Sequence, residues 1–220
     1  WQSSSSATSG FTNISGATNA VYMPTLSSPA TIYYRNTVTC TPSGATSNSS
    51  AQDITYLAPP SAIGGSLAVC MGSTTTLTNS TSGGTWVSSS PSVAAIGSTS
   101  GVVNGVSVGT ATITYTAPSG CQAIAQVTVN PQPGAISGAA SICGGTGATT
   151  ATLTNGMSGG SWTSSNTLFA TVGTSSGVVT GVGNGNPVIT YAMPTGCFAT
   201  TVMTVTAVPA ITGAASVCMG

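Results

Sequence analysis

The stretch Ser100-Gly-Val-Val-Asn-Gly-Val-Ser-Val-Gly-Thr-Ala-Thr-Ile-Thr-Tyr-Thr-Ala-Pro-Ser-Gly-Cys121 decides how this chain is read. It returns as Ser176-Gly-Val-Val-Thr-Gly-Val-Gly-Asn-Gly-Asn-Pro-Val-Ile-Thr-Tyr-Ala-Met-Pro-Thr-Gly-Cys197. Aligning Trp86 with Trp162 lengthens the match. Over residues 86–121 and 162–197, 18 of 36 positions are identical without a gap. Upstream, Gly83-Gly-Thr-Trp86 answers Gly159-Gly-Ser-Trp162, and Leu67-Ala-Val-Cys70 answers Ala140-Ser-Ile-Cys143 and Ala215-Ser-Val-Cys218. The period is about 75 residues. A fixed period of this kind means that each unit folds as one module and that the modules stand in tandem.

Inside the quoted stretch, polar and apolar residues alternate along Thr110-Ala-Thr-Ile-Thr-Tyr-Thr116, the period of a half-buried strand. Ser100-Gly, Asn104-Gly and Pro118-Ser-Gly mark turns at its edges. The same logic predicts strands near 67–70, 74–79, 84–88, 93–97, 102–108, 110–116 and 122–130, and again in the second repeat. No helical period appears. Seven short strands set apart by turn signals predict an all-β fold of tandem immunoglobulin-like β-sandwich modules. Residues 1–58 read as a partial module whose first strands are missing. Residues 59–133 and 134–209 read as two full repeats, and 210–220 as the first strand of a further module.

Composition narrows the chemistry. The chain has one Arg (Arg35), one Asp (Asp53), and no Lys, Glu or His, where ordinary domains are about a quarter charged. General acid–base catalysis draws on His, Glu, Asp and Lys, so no catalytic residue is expected. Calcium takes about 6–8 oxygen ligands, commonly several carboxylates, and one Asp cannot supply them. Six cysteines at 40, 70, 121, 143, 197 and 218 include no C-x-x-C pair, which argues against zinc. No metal and no cofactor are expected. Two opposed charges create no field to attract nucleic acid. No run of about 20 apolar residues exists to enter a membrane. Ser and Thr make up 73 of 220 residues. Yet 40% of residues are hydrophobic and fall in alternating runs, which favours packed strands over a disordered stalk. Widely spaced cysteines predict disulfides and therefore an oxidising, extracellular compartment.

The pattern Cys70…Thr76-Leu-Thr-Asn79…Gly83-Gly-Thr-Trp86…Ser98-Thr-Ser-Gly-Val-Val103…Gly109-Thr-Ala-Thr-Ile-Thr-Tyr115…Gly120-Cys121…Val127-Thr-Val129 resembles bacterial Ig-like repeats. Such repeats occur in tandem in very large surface adhesins, including the cell-surface filament proteins of gliding bacteria. The opening Trp1-Gln-Ser-Ser…Phe11-Thr-Asn-Ile…Tyr33-Tyr-Arg35 resembles a sister module common in the same proteins. The resemblance implies secretion, anchoring by other segments, and a structural or adhesive role at the bacterial cell surface. It implies neighbouring modules or copies of the same protein as partners, with surface glycans as candidate ligands. Two other readings are a filament subunit joined by strand donation, with 210–220 of one chain completing the N-terminal module of the next, and a carbohydrate-binding accessory module.

Two disulfide arrangements compete. Within modules, Cys70 pairs with Cys121 and Cys143 with Cys197. This leaves Cys40 and Cys218 for intermolecular or more distant partners. Across junctions, the pairs are Cys40–Cys70, Cys121–Cys143 and Cys197–Cys218. The first is expected, on the premise that a first-strand cysteine lies at the end of the sandwich where the last strand starts. A nine-residue strand at about 3.3 Å per residue otherwise exceeds the roughly 7 Å that a disulfide allows between Cα atoms. Trp1, Trp86, Trp162, Tyr115 and Tyr191 are expected in the core, against the alternative of exposed stacking platforms.

Overall fold

A computed structural model describes residues 1–25, 28, 30–40, 43–145 and 147–208. Its described residues form strands and turns, with no helix. The chain gathers into two compact units. One holds Trp1–Ile63, Asn79–Thr85 and Tyr115–Ala123; the other holds Gly64–Thr78, Trp86–Thr114 and the residues from Ile124 onward.

The first unit is built on an antiparallel sheet in the order Thr12–Asn13, Gln2–Ser4, Thr31–Arg35, Gln52–Thr55. Tyr33 and Tyr34 are adjacent, so their side chains leave opposite faces. Tyr34 is buried beside Tyr22, with ring centroids 5.9 Å apart. The Arg35 guanidinium lies 4.2 Å from the Phe11 ring centre, and its Nε donates to Gln2 Oε1 at 2.7 Å. A cation over a ring face is attracted by the ring quadrupole. A second hairpin joins Thr37–Thr39 to Thr46–Asn48.

The two sequence repeats form sandwiches, the second within the second unit and the first with its Asn79–Thr85 and Tyr115–Ala123 segments in the first unit. In the first, one sheet runs Ala94–Ile96, Val102–Gly105, Thr74–Thr76. The other runs Ala68–Cys70, Gln122–Asn130, Gly109–Thr116, Thr85–Ser88. In the second repeat, Thr150–Thr152, Val178–Gly181 and Ala170–Val172 form one sheet. Opposite it lie Ser161–Ser164, Val188–Ala192 and Phe198–Val202, with Ser141–Gly145 paired to Thr204–Val208. Each repeat has immunoglobulin-like architecture, with the first strand parallel to the last. The two differ at Pro187, which stands where the first repeat has Ala111. Proline has no N–H to give a ladder, and the strand here begins only at Val188. Met203 N donates to the Pro187 carbonyl at 2.9 Å, and the last strand breaks at that residue.

The cores correspond position for position. Ile142, Leu153, Trp162, Ala170, Val179, Ile189, Tyr191, Met203 and Val205 pack together in the second repeat. Their counterparts Val69, Leu77, Trp86, Ala94, Val103, Ile113, Tyr115, Val127 and Val129 are all buried. The repeated Ser-Gly-Val-Val has a physical reason. Gly101 and Gly177 both have φ 67°, and a Cβ on either would sit 2.4 Å from the carbonyl of Leu77 or Leu153 and against the Trp86 or Trp162 ring. The second glycine of Gly-Gly-x-Trp is equally constrained. Gly84 N donates to Tyr115 Oη at 2.9 Å and Gly160 N to Tyr191 Oη at 2.8 Å. Those hydroxyls in turn donate to the carbonyls of Thr81 and Met157.

Candidate functional site at the module ends

No three-residue group able to hold a metal ion is present among the described residues. The chemistry on offer is that of the cysteines. Their positions follow from strand register, so the ends of each sandwich matter. Call the end where the chain enters proximal and the end where it leaves distal.

The first strand of each repeat runs parallel to the last, so both finish at the distal end. Cys70 is the final residue of Ala68–Cys70 and lies opposite Asn130, the final residue of Gln122–Asn130. Cys121 immediately precedes that nine-residue strand, in the turn at the proximal end. At about 3.3 Å per residue the strand spans about 30 Å. The two sulfurs are therefore at opposite ends of one sandwich. The second repeat is built the same way, with Cys143 opposite Thr206 and Cys197 in the turn before Phe198.

The structure accordingly joins Cys70 to Cys197, with Cα atoms 5.7 Å apart and 127 residues between them in sequence. Cys40, Cys121 and Cys143 carry free thiols. The expected bonds Cys70–Cys121 and Cys143–Cys197 do not form, because the premise placed the first-strand cysteine at the wrong end. The junction scheme Cys40–Cys70, Cys121–Cys143 is not adopted either. The observed bond does cross a junction, but from the distal end of one repeat to the proximal turn of the next. Cys197 is fully buried there. The linker adds a second tie, since Gln132 Nε2 donates to the Phe198 carbonyl beside Cys197.

Cys121 sits in a related setting. Its thiol donates to the Leu57 carbonyl at 3.6 Å, and Leu57 lies just past the Gln52–Thr55 strand. Cys40 flanks a turn closed like those of the two repeats. Cys40 N donates to Ala45 O and Gly44 N to Cys40 O, as Ala117 N does to Cys121 O and Gly120 N to Ala117 O. Cys218 and the expected strand 210–220 lie outside the described residues.

Trp86 and Trp162 are 5% and 4% exposed, Tyr115 and Tyr191 3% and 4%. Trp162 packs 4.7 Å from Tyr191, centre to centre. Trp1 is half-buried, 6.3 Å from Tyr22, and its indole Nε1 donates to the Asn19 carbonyl. Among the described residues, no helix is long and apolar enough to cross a membrane. The sequence carried one unused signal for the disulfide. Cys70 stands at the end of its apolar run, followed by Met71-Gly72, and marks where its strand stops.

No family model matches the chain, and no curated protein matches it. Among solved structures, it is similar to domains 4 and 5 of the S-layer protein SbsC. The two are 20% identical, with 68% of this chain and all of that one covered, at a TM-score of 0.35. A C-terminal fragment of intimin, solved with the intimin-binding domain of its translocated receptor, is 16% identical. It matches over 68% of this chain and 64% of that one, at a TM-score of 0.41. Mouse cadherin-23 EC22–24 is 14% identical over 81% of this chain and 73% of that one, at 0.28.

Proposed function

We propose that this chain is a structural and adhesive repeat segment of an extracellular cell-surface fibre, with modules at 59–133 and 134–209. The observation that carries this reading is the Cys70–Cys197 bond. A chain under tension transmits load through its shortest covalent path. From Cys70 that path crosses the sulfurs to Cys197 and bypasses the residues between them, which include most of both sandwiches. A clamp so placed suits a tether or spacer that must stay folded while pulled. It also suits an oxidising exterior, where disulfides persist.

The rest of the chain agrees. One Arg and no Lys leave trypsin-like proteases a single cleavage point. With one Asp and no Glu, Lys or His available for acid–base chemistry, the expected role is non-enzymatic. Binding of sugars through the repeat tryptophans is not favoured, because both rings are buried.

The test is immunogold labelling of intact, unpermeabilised cells with antibody raised against the folded chain. Label along surface fibres is the expected result. Label seen only after permeabilisation would refute the extracellular assignment.

A further inference from the structure

We propose that Cys143 is a cross-linking site: half of a second inter-module disulfide, whose other half is a thiol at a β-hairpin turn of another module of this kind. The inference rests on the array reading above and extends it from one junction to the next.

The first argument is register. Asn130 lies nine residues past the turn cysteine Cys121, and Thr206 lies nine past Cys197. Cys70 is opposite Asn130 and Cys143 is opposite Thr206. The two first-strand cysteines therefore occupy the same place at the distal ends of their sandwiches. Cys70 takes a turn cysteine from the following repeat. Cys143 presents the same group at the equivalent end and is a half-buried thiol, so a partner can reach it.

The second argument comes from the first unit and does not involve the disulfide. There the Cys121 thiol reaches the carbonyl of Leu57, just behind the Gln52–Thr55 strand. Beside Cys197, the Phe198 carbonyl meets Gln132, just behind the Gln122–Asn130 strand. In both cases a turn cysteine is seated at the segment that leaves the preceding last strand. That is the position from which a turn thiol meets a distal first-strand cysteine. The partner is thus recognisable by its turn, of the kind seen at Pro118-Ser-Gly-Cys121 and Pro194-Thr-Gly-Cys197.

The bond forms by oxidation of two thiols. They release two protons and two electrons, and the Cys143 sulfur joins the turn sulfur. The electron acceptor is the disulfide of a thiol–disulfide oxidoreductase, which leaves as a dithiol. Overlapping bonds of this type would keep a fibre continuous even when one backbone bond in a module is cut.

The test uses native protein harvested from its source, alkylated without reduction and digested with pepsin at low pH, where exchange is slow. Mass spectrometry then identifies the partner of each cysteine. The expected result is Cys143 linked to a turn peptide. A partner peptide identical to one around Cys40 or Cys121 would place it in another copy of this segment, and a related but different turn peptide would place it in a further module. Either supports the proposal. Cys143 recovered alkylated, or linked to a first-strand cysteine such as Cys218, would overturn it. The Cys70–Cys197 peptide pair in the same digest reports separately on the junction already described, and cell-surface labelling reports separately on the fibre reading.

Discussion

Gly101 and Gly177 show how tightly single residues fix these modules. At φ 67°, with a leucine carbonyl 2.4 Å from any Cβ, alanine is both strained and obstructed. Left-handed backbone alone costs a non-glycine residue about 1–2 kcal/mol, and the clash adds to it. Gly72, at φ 80° with open space around it, isolates the backbone cost. Urea titration is expected to show Gly177→Ala destabilising by about 3 kcal/mol and Gly72→Ala by about 1; equal losses would mean that the clash relaxes freely. Tyr191→Phe removes a hydroxyl that donates to Met157 O and accepts from Gly160 N. Its expected cost is about 1–3 kcal/mol, measured the same way. Burial, and after it the nearby Tyr22, raises the Tyr34 pKa above its usual 10.0. For a phenol the charged form is then disfavoured when folded, so the unfolded chain releases its proton first. Stability is expected to hold at neutral pH and to fall as pH rises past 10. A Tyr34→Phe variant should lose less of its stability between pH 9 and about 11, followed by circular dichroism.

At the scale of strands and turns, the local pattern was legible and the pairing was not. Alternation along Thr110–Thr116 and the Asn-Gly and Ser-Gly turns located the strands to within a few residues, because side-chain period and turn conformation are local properties. The strand carried over from the first repeat runs through Pro187, whereas the observed strand begins only at Val188, because proline has no N–H to give. The disulfide was not legible, because it depends on a parallel pairing between strands about 60 residues apart. Sliding or reversing that pairing exchanges the two ends of the sandwich without changing any local signal. The core aromatics were easier, since Trp86 and Trp162 face inward on alternating strands over an apolar layer. The observed bond makes a prediction at this scale. Closing a loop of 127 residues limits the unfolded chain by about 5 kcal/mol in the chain-entropy account. In the isolated chain, Cys197→Ser should lower the denaturation midpoint clearly, and Cys121→Ser should leave it within about 0.5 kcal/mol. Equal effects would favour the intramodule scheme.

Across the whole molecule, the proposed role outside a cell is one of endurance. The surface is almost uncharged, the titratable groups are few, and the covalent path runs from repeat to repeat. Stability in a tandem array is local plus nearest-neighbour, and a bond between neighbours lets each module lend resistance to the next. The measurement that bears most directly on this is single-molecule stretching of the chain, held at its two ends, with and without reductant. Without reductant, the residues between Cys70 and Cys197 should stay off the load path and contribute no extension. With reductant, their release should add about 450 Å of contour, from a separation of 127 residues at about 3.6 Å each. The same contour length in both conditions would mean that the two repeats are not clamped together, and would contradict the account.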